Sequence, residues 1–93
     1  MTLDKVYAIL NKENLNWRRV NTLPCVHIFY NDLYINLSFG HPHGKKAIFV
    51  NVDDLGNYTN GIFSKKITEE NEYFTPLLKI YNKATSIATN IAA

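Results

Sequence analysis

Two histidines, a proline, a glycine and two lysines follow one another in His41-Pro42-His43-Gly44-Lys45-Lys46. Imidazoles titrate near neutrality, so His41 and His43 could act as base and acid while Lys45 and Lys46 clamp a phosphate, the chemistry of RNA cleavage. Cys25-x-His27 and His41-x-His43 together supply sulfur and nitrogen donors of the type zinc accepts. Neither reading has the accessories it needs. No carboxylate stands close in the chain to orient either ring, and no serine or cysteine nucleophile has an evident base. There is no phosphate-cradling glycine loop, and the donor spacing matches no closed zinc pattern. The residues therefore point to a chain with no catalytic site, no metal and no cofactor. A histidine-dependent ribonuclease is the third-ranked reading, and what positions these residues decides among the three.

Ninety-three residues suffice for a single domain over residues 1–93, one that buries about 60–65% of the surface its unfolded chain exposes. Hydrophobic residues at 46% and charged residues at 19% are ordinary for a globular chain and exclude a disordered one. So thin a core gains from further buried surface, which makes a partner or a homodimer the expectation. The net charge of +2 falls short of a dedicated nucleic-acid coater. Cys25 alone cannot form an internal disulfide. No secretory leader and no run of membrane-spanning length is visible, so a cytoplasmic protein without membrane contact is expected. Eight lysines against two arginines, with twelve asparagines, suggest an AT-rich coding genome such as a phage or mobile element.

Hydropathy patterning predicts an α+β domain of order αββββα, a four-stranded antiparallel meander with both helices mainly on one face. Thr2 caps a first helix with Leu3, Val6, Tyr7 and Leu10 on its apolar side, and Asn11, Asn14 and Asn16 end it. Pro24 makes the preceding Leu23 extended, and a strand follows from Cys25 to Tyr30. A two-residue turn at Asn31-Asp32 then pairs Tyr30 with Leu33, Ile28 with Ile35 and Val26 with Leu37, setting every one of those side chains and Phe39 on one face. A third strand from Ala47 to Val52 adds Ile48, Val50 and Val52 if Phe39 opposes Ile48. After the Asp53-Asp54-Leu55-Gly56-Asn57 turn, a weaker fourth strand runs from about Tyr58 to Ser64. Glu69, Glu70 and Glu72 mark a turn, after which Thr75 caps a second helix with Pro76 at its first position and Leu77, Ile80, Ala84, Ile87 and Ile91 as its stripe.

The same register defines the opposite face. It carries Phe29 with Tyr34, then His27 with Asn36 and Asn51, then Cys25 with Ser38 and Phe49. With the helices on the other side, this aromatic and polar surface is the expected partner-binding face: Phe29, Tyr34, Phe49, His27, Asn36 and Asn51. A meander also gathers Arg18, Arg19, His41, His43, Lys45, Lys46, Lys65 and Lys66 at one end of the sheet, with Trp17 alongside for stacking. Such a basic end would attract nucleic acid. The four donors Cys25, His27, His41 and His43 stay apart, because His27 opposes Asn36, roughly 15 Å of strand before His41. The first-ranked expectation is a small interaction protein that inhibits or redirects a host protein. The second is a nucleic-acid binder using the basic end.

Overall fold

The computed structural model describes residues 1–12, 15–20, 24–55, 57–87 and 89–91. The first helix, α1, runs Leu3–Leu10, and the Thr2 hydroxyl accepts the Lys5 amide N–H at 3.3 Å. Asp4 lies in its first turn, where a negative charge is favourable. Asn11 ends it: its backbone N–H and its side-chain Nδ2 both donate to the Tyr7 carbonyl, at 3.2 and 2.8 Å. That is the local competition for backbone partners that makes asparagine a helix terminator. Asn14, Leu23 and Gly56, which entered the expectations above, lie outside the described residues.

Five strands form an antiparallel sheet: β1 Asn16–Val20, β2 Cys25–Tyr30, β3 Leu33–Gly40, β4 Ala47–Asp54 and β5 Asn57–Thr68. A three-residue strand, β6 Thr89–Ile91, joins β1 in parallel, and the spatial order is β5-β4-β3-β2-β1-β6. The central register is the expected one: Tyr30 opposes Leu33, Ile28 opposes Ile35, Val26 opposes Leu37, and Phe39 opposes Ile48. Asn31 takes the positive φ of the turn, 52°, whereas Asp32 does not, so the turn is not the full mirror-image form. The Asp32 carbonyl also accepts the Leu55 N–H at 2.9 Å, tying the two turns at that end together.

The four-strand expectation is corrected in three places. Asn16–Val20 is a strand, not an approach loop, pairing Trp17 with Ile28 and Arg18 with His27. Its sequence, Asn-Trp-Arg-Arg-Val, hides the pattern, because the strand lies near a sheet edge where polar side chains are tolerated, although Trp17 packs against the core. The last long strand does not stop at Ser64 but continues to Thr68, with Ile67 opposite Ile48 and Phe63 opposite Val52. A bulge near Asp53 explains its broken alternation: Ile62 is left unpaired between Gly61 and Phe63 and stands 40% exposed. Finally, Ile91 belongs to β6 and not to the helical stripe.

The second helix, α2, spans Phe74–Ile87. It begins two residues earlier than Pro76, the first position that a Thr75 cap would give. Asn71 prepares the start, its Oδ1 accepting the Tyr73 N–H at 2.8 Å and its carbonyl the Phe74 N–H at 3.0 Å. Pro76 is tolerated because first-turn amides need no intrahelical acceptor, and Leu77 N–H to the Tyr73 carbonyl at 2.9 Å opens the regular ladder.

One buried cluster joins these elements. Leu3, Val6 and Leu10 of α1 and Phe74, Leu77, Tyr81 and Ala84 of α2 share it with Val26, Ile28, Ile35, Leu37, Ile48, Val50, Val52 and Ile67 of the sheet. β2, β3 and β4 each contribute alternate residues, so the cluster occupies one face of the sheet. None of Cys25, His27, Phe29, Tyr34, Asn36 or Phe49 belongs to it. No described helix is long and apolar enough to cross a membrane. Because Leu37 is fully buried in this cluster and Ser38 points the other way, Leu37→Ala should cost about 2–5 kcal/mol in urea unfolding. Ser38→Ala should stay within about 0.5 kcal/mol. Equal costs at the two positions would contradict the register.

Candidate functional site

The face opposite the cluster is ordered by cross-strand pairing into three rows. The central row reads Ser64, Asn51, Asn36, His27, Arg18 from β5 to β1. Toward the β3–β4 connection lies a row of Lys66, Phe49, Ser38 and Cys25; toward the Asn31 turn lies a row of Gly61, Asp53, Tyr34, Phe29 and Asn16. All six residues expected on a binding face, His27, Phe29, Tyr34, Asn36, Phe49 and Asn51, are thus on this surface, and all six are half-buried.

Their side chains pack against one another. The Tyr34 ring lies 4.9 Å from His27 and 5.2 Å from Phe29, centroid to centroid, the second pair edge to face. The Ser64 hydroxyl donates to Asn51 Oδ1 at 2.6 Å, crossing from β5 to β4. Asn36 Oδ1, at the centre of the middle row, is buried and accepts no hydrogen bond among the described residues. A buried acceptor left unmet costs about 1–3 kcal/mol. Cys25 Sγ stands 3.8 Å from His27 Nε2. Burial raises the Cys25 pKa above its ordinary value and lowers that of His27, so near neutrality the pair is thiol and neutral imidazole, not a thiolate–imidazolium nucleophile.

The basic residues are spread across the width of the sheet. Arg18 and Arg19, on β1 near one edge, are paired with His27 and Val26. Lys65 and Lys66 are paired with Val50 and Phe49 on β5, at the other side of the sheet. Lys66 and Arg18 share the open face, while Lys65 lines a shallow hollow with Thr2, Asp4 and Glu72 beside the start of α1. Trp17 packs against the core, away from Arg18. Only His41, His43, Lys45 and Lys46 remain together, in the β3–β4 connection.

That connection is a tight turn. Pro42–Gly44 forms one turn of 3-10 helix, with Gly44 N–H donating to the His41 carbonyl and Lys45 N–H to that of Pro42, both at 3.1 Å. His43 at φ 54° and Gly44 at φ 78° are both left-handed, which is natural for glycine and strained for histidine. The His41 ring rests edge-on against Phe39, centroids 5.0 Å apart. Phe39 packs on the cluster side, so His41 and Cys25 serve opposite faces. Glu70 adjoins Lys45; a hydrogen bond from Thr68, its own backbone amide and the Lys45 charge hold its carboxyl below the ordinary value. Among the described residues no three His, Cys, Asp or Glu side chains are grouped to hold a metal ion.

Arg18, Asp53, Ser64 and Lys66 also belong to the open face, and sequence reasoning missed them as members. The period-two placement of Phe63, Lys65 and Ile67 was the available signal for the length of β5. No family model matches the chain, and no curated protein or solved structure is significantly similar to it.

Two outcomes follow from the face itself. Asn36→Val removes the unmet acceptor and adds a β-branched side chain to a strand, so it should raise unfolding stability by about 1 kcal/mol; a loss would show that Asn36 is structurally required. The pH dependence has a definite sign. The His27 pKa lies below its ordinary 6.5 in the folded chain. The unfolded chain therefore takes up a proton first as pH falls, and the contribution is full above pH 6.5 and lost below it until the folded His27 is also protonated. His27→Gln should flatten the stability curve between about pH 7 and about pH 5, and an unchanged slope in thermal unfolding would assign that dependence elsewhere.

Proposed function

We propose that this chain is a non-enzymatic binding protein that presents the open face of its sheet to a protein surface. The observation that carries this reading is a half-buried aromatic and uncharged polar surface, spread over β2, β3 and β4, that contributes nothing to the buried cluster. In this reading both helices cover the apolar face and leave the other available. Aromatic residues such as Phe29, Tyr34 and Phe49 are enriched at interfaces, and an unmet acceptor among them is tolerated where function demands it. The role is to block or redirect the bound protein, and the lone reduced Cys25 suits the cytoplasm.

A nucleic-acid reading draws its support on this face only from Arg18 and Lys66, which lie on opposite sides of it. The loop cations His41, His43, Lys45 and Lys46 form a separate, smaller patch. The ribonuclease reading would have to place both imidazoles on one phosphate, with His41 against Phe39 and His43 at the strained apex.

Capture of partners by the immobilised chain from a lysate of the organism that encodes it, with half the sample nuclease-treated, separates the three. Phe29→Ser and Tyr34→Ser should each reduce capture by about tenfold or more, with nuclease treatment and the Lys45→Ala/Lys46→Ala double change leaving it intact. Loss of capture on nuclease treatment and on the double lysine change, with the face variants unaffected, would transfer the function to the basic loop. RNA cleavage abolished by His41→Ala would establish the enzyme instead.

A further inference from the structure

We infer that the open face is occupied by a second copy of this chain, stacked face to face about a two-fold axis that runs across the strands along the row Arg18, His27, Asn36, Asn51, Ser64. The inference rests on the binding-face reading above and names its occupant. Such an axis places each copy's outer rows on one another in reverse order. The row Lys66, Phe49, Ser38, Cys25 then lies over Gly61, Asp53, Tyr34, Phe29, strand for strand.

Shape favours this arrangement. The small side chains Ser38 and Cys25 come over the large rings of Tyr34 and Phe29, and the reverse holds on the other side of the axis. Large-on-small layering lets two sheet faces interdigitate at aligned packing. An axis along β3 would instead set Tyr34 on Tyr34 and Ser38 on Ser38, whereas the axis along the middle row sets like on like only for Arg18, His27, Asn36, Asn51 and Ser64. Charge favours it as well. Lys66 of each copy falls over Gly61 of the other, which has no side chain to obstruct it, directly beside Asp53. The two-fold creates this Lys66–Asp53 pairing twice. Phe49 already leans toward Gly40, its Cε2 3.7 Å from where a Cβ would stand there, which leaves the Asp53 side of the layer to the lysine. The costs fall on Arg18, an exposed residue on the axis that meets its own copy, and on Asp53, which lies under Phe49 of the other copy as well as beside its Lys66.

The size of the face is adequate. Five strands at about 4.8 Å and three rows about 6.8 Å apart give a footprint near 500 Å² per copy, or about 1,000 Å² in total. That lies at the lower limit for a specific interface.

Sedimentation equilibrium of the full chain from about 1 µM to about 1 mM tests the inference. The weight-average mass should climb from one chain toward two. Lys66→Asp and Asp53→Lys should each weaken association by about tenfold, and the two changes in one chain should recover it to within about threefold. Lys79→Asp, the same charge change on the exposed side of α2, should leave association unaltered. Arg18→Gln should tighten it. A single-chain mass at every concentration overturns the inference, as does a double variant no better than the singles, or weakening by Arg18→Gln. The binding-face reading fails separately: a monomeric chain that still loses partner capture through Tyr34→Ser has the right face and a different occupant.

Discussion

The pairing of β2 with β3 and of β3 with β4 is the constraint on which the rest of the molecule depends. Because strand side chains alternate, one register sets Val26, Leu37 and Val50 in one layer and Ile28, Ile35 and Val52 in the next, all on the same face. The buried cluster, the docking of α1 and α2 residues into it and the composition of the opposite surface are consequences of that single alignment. A shift by one residue would send every one of those side chains into water and bring His27, Asn36 and Asn51 into the core, where their polar groups would be costly.

The same alternation explains how the chain carries unlike surfaces on one thin sheet. On the clustered side the central residues of β2, β3 and β4 are aliphatic and fully buried. On the other, aromatic rings and amides support one another at half exposure, and the neutral states of Cys25 and His27 keep the centre of that face uncharged. Charge is confined to its margins, at Arg18, Lys66 and Asp53.

The loop His41–Lys46 illustrates how residue types alone mislead. Its histidines and lysines are chemically capable, but backbone geometry assigns them other work. His43 takes the left-handed position of a tight turn, His41 lies against Phe39, and Lys45 adjoins Glu70.

Local pattern was enough to determine the β2–β3–β4 register, the membership of both faces at those strands and the caps that begin and end α1, because each depends on neighbours close in sequence and on a strict period of two or of 3.6. The tertiary structure alone decided that Asn16–Val20 is a strand, that β5 reaches Thr68 and that Thr89–Ile91 returns beside β1. Those segments are polar or irregular in sequence. Their backbones are held by hydrogen bonds to distant strands, which composition does not encode. The spread of the cations follows from the same fact: once Arg18-Arg19 and Lys65-Lys66 are ladder residues on β1 and β5, three strands lie between them.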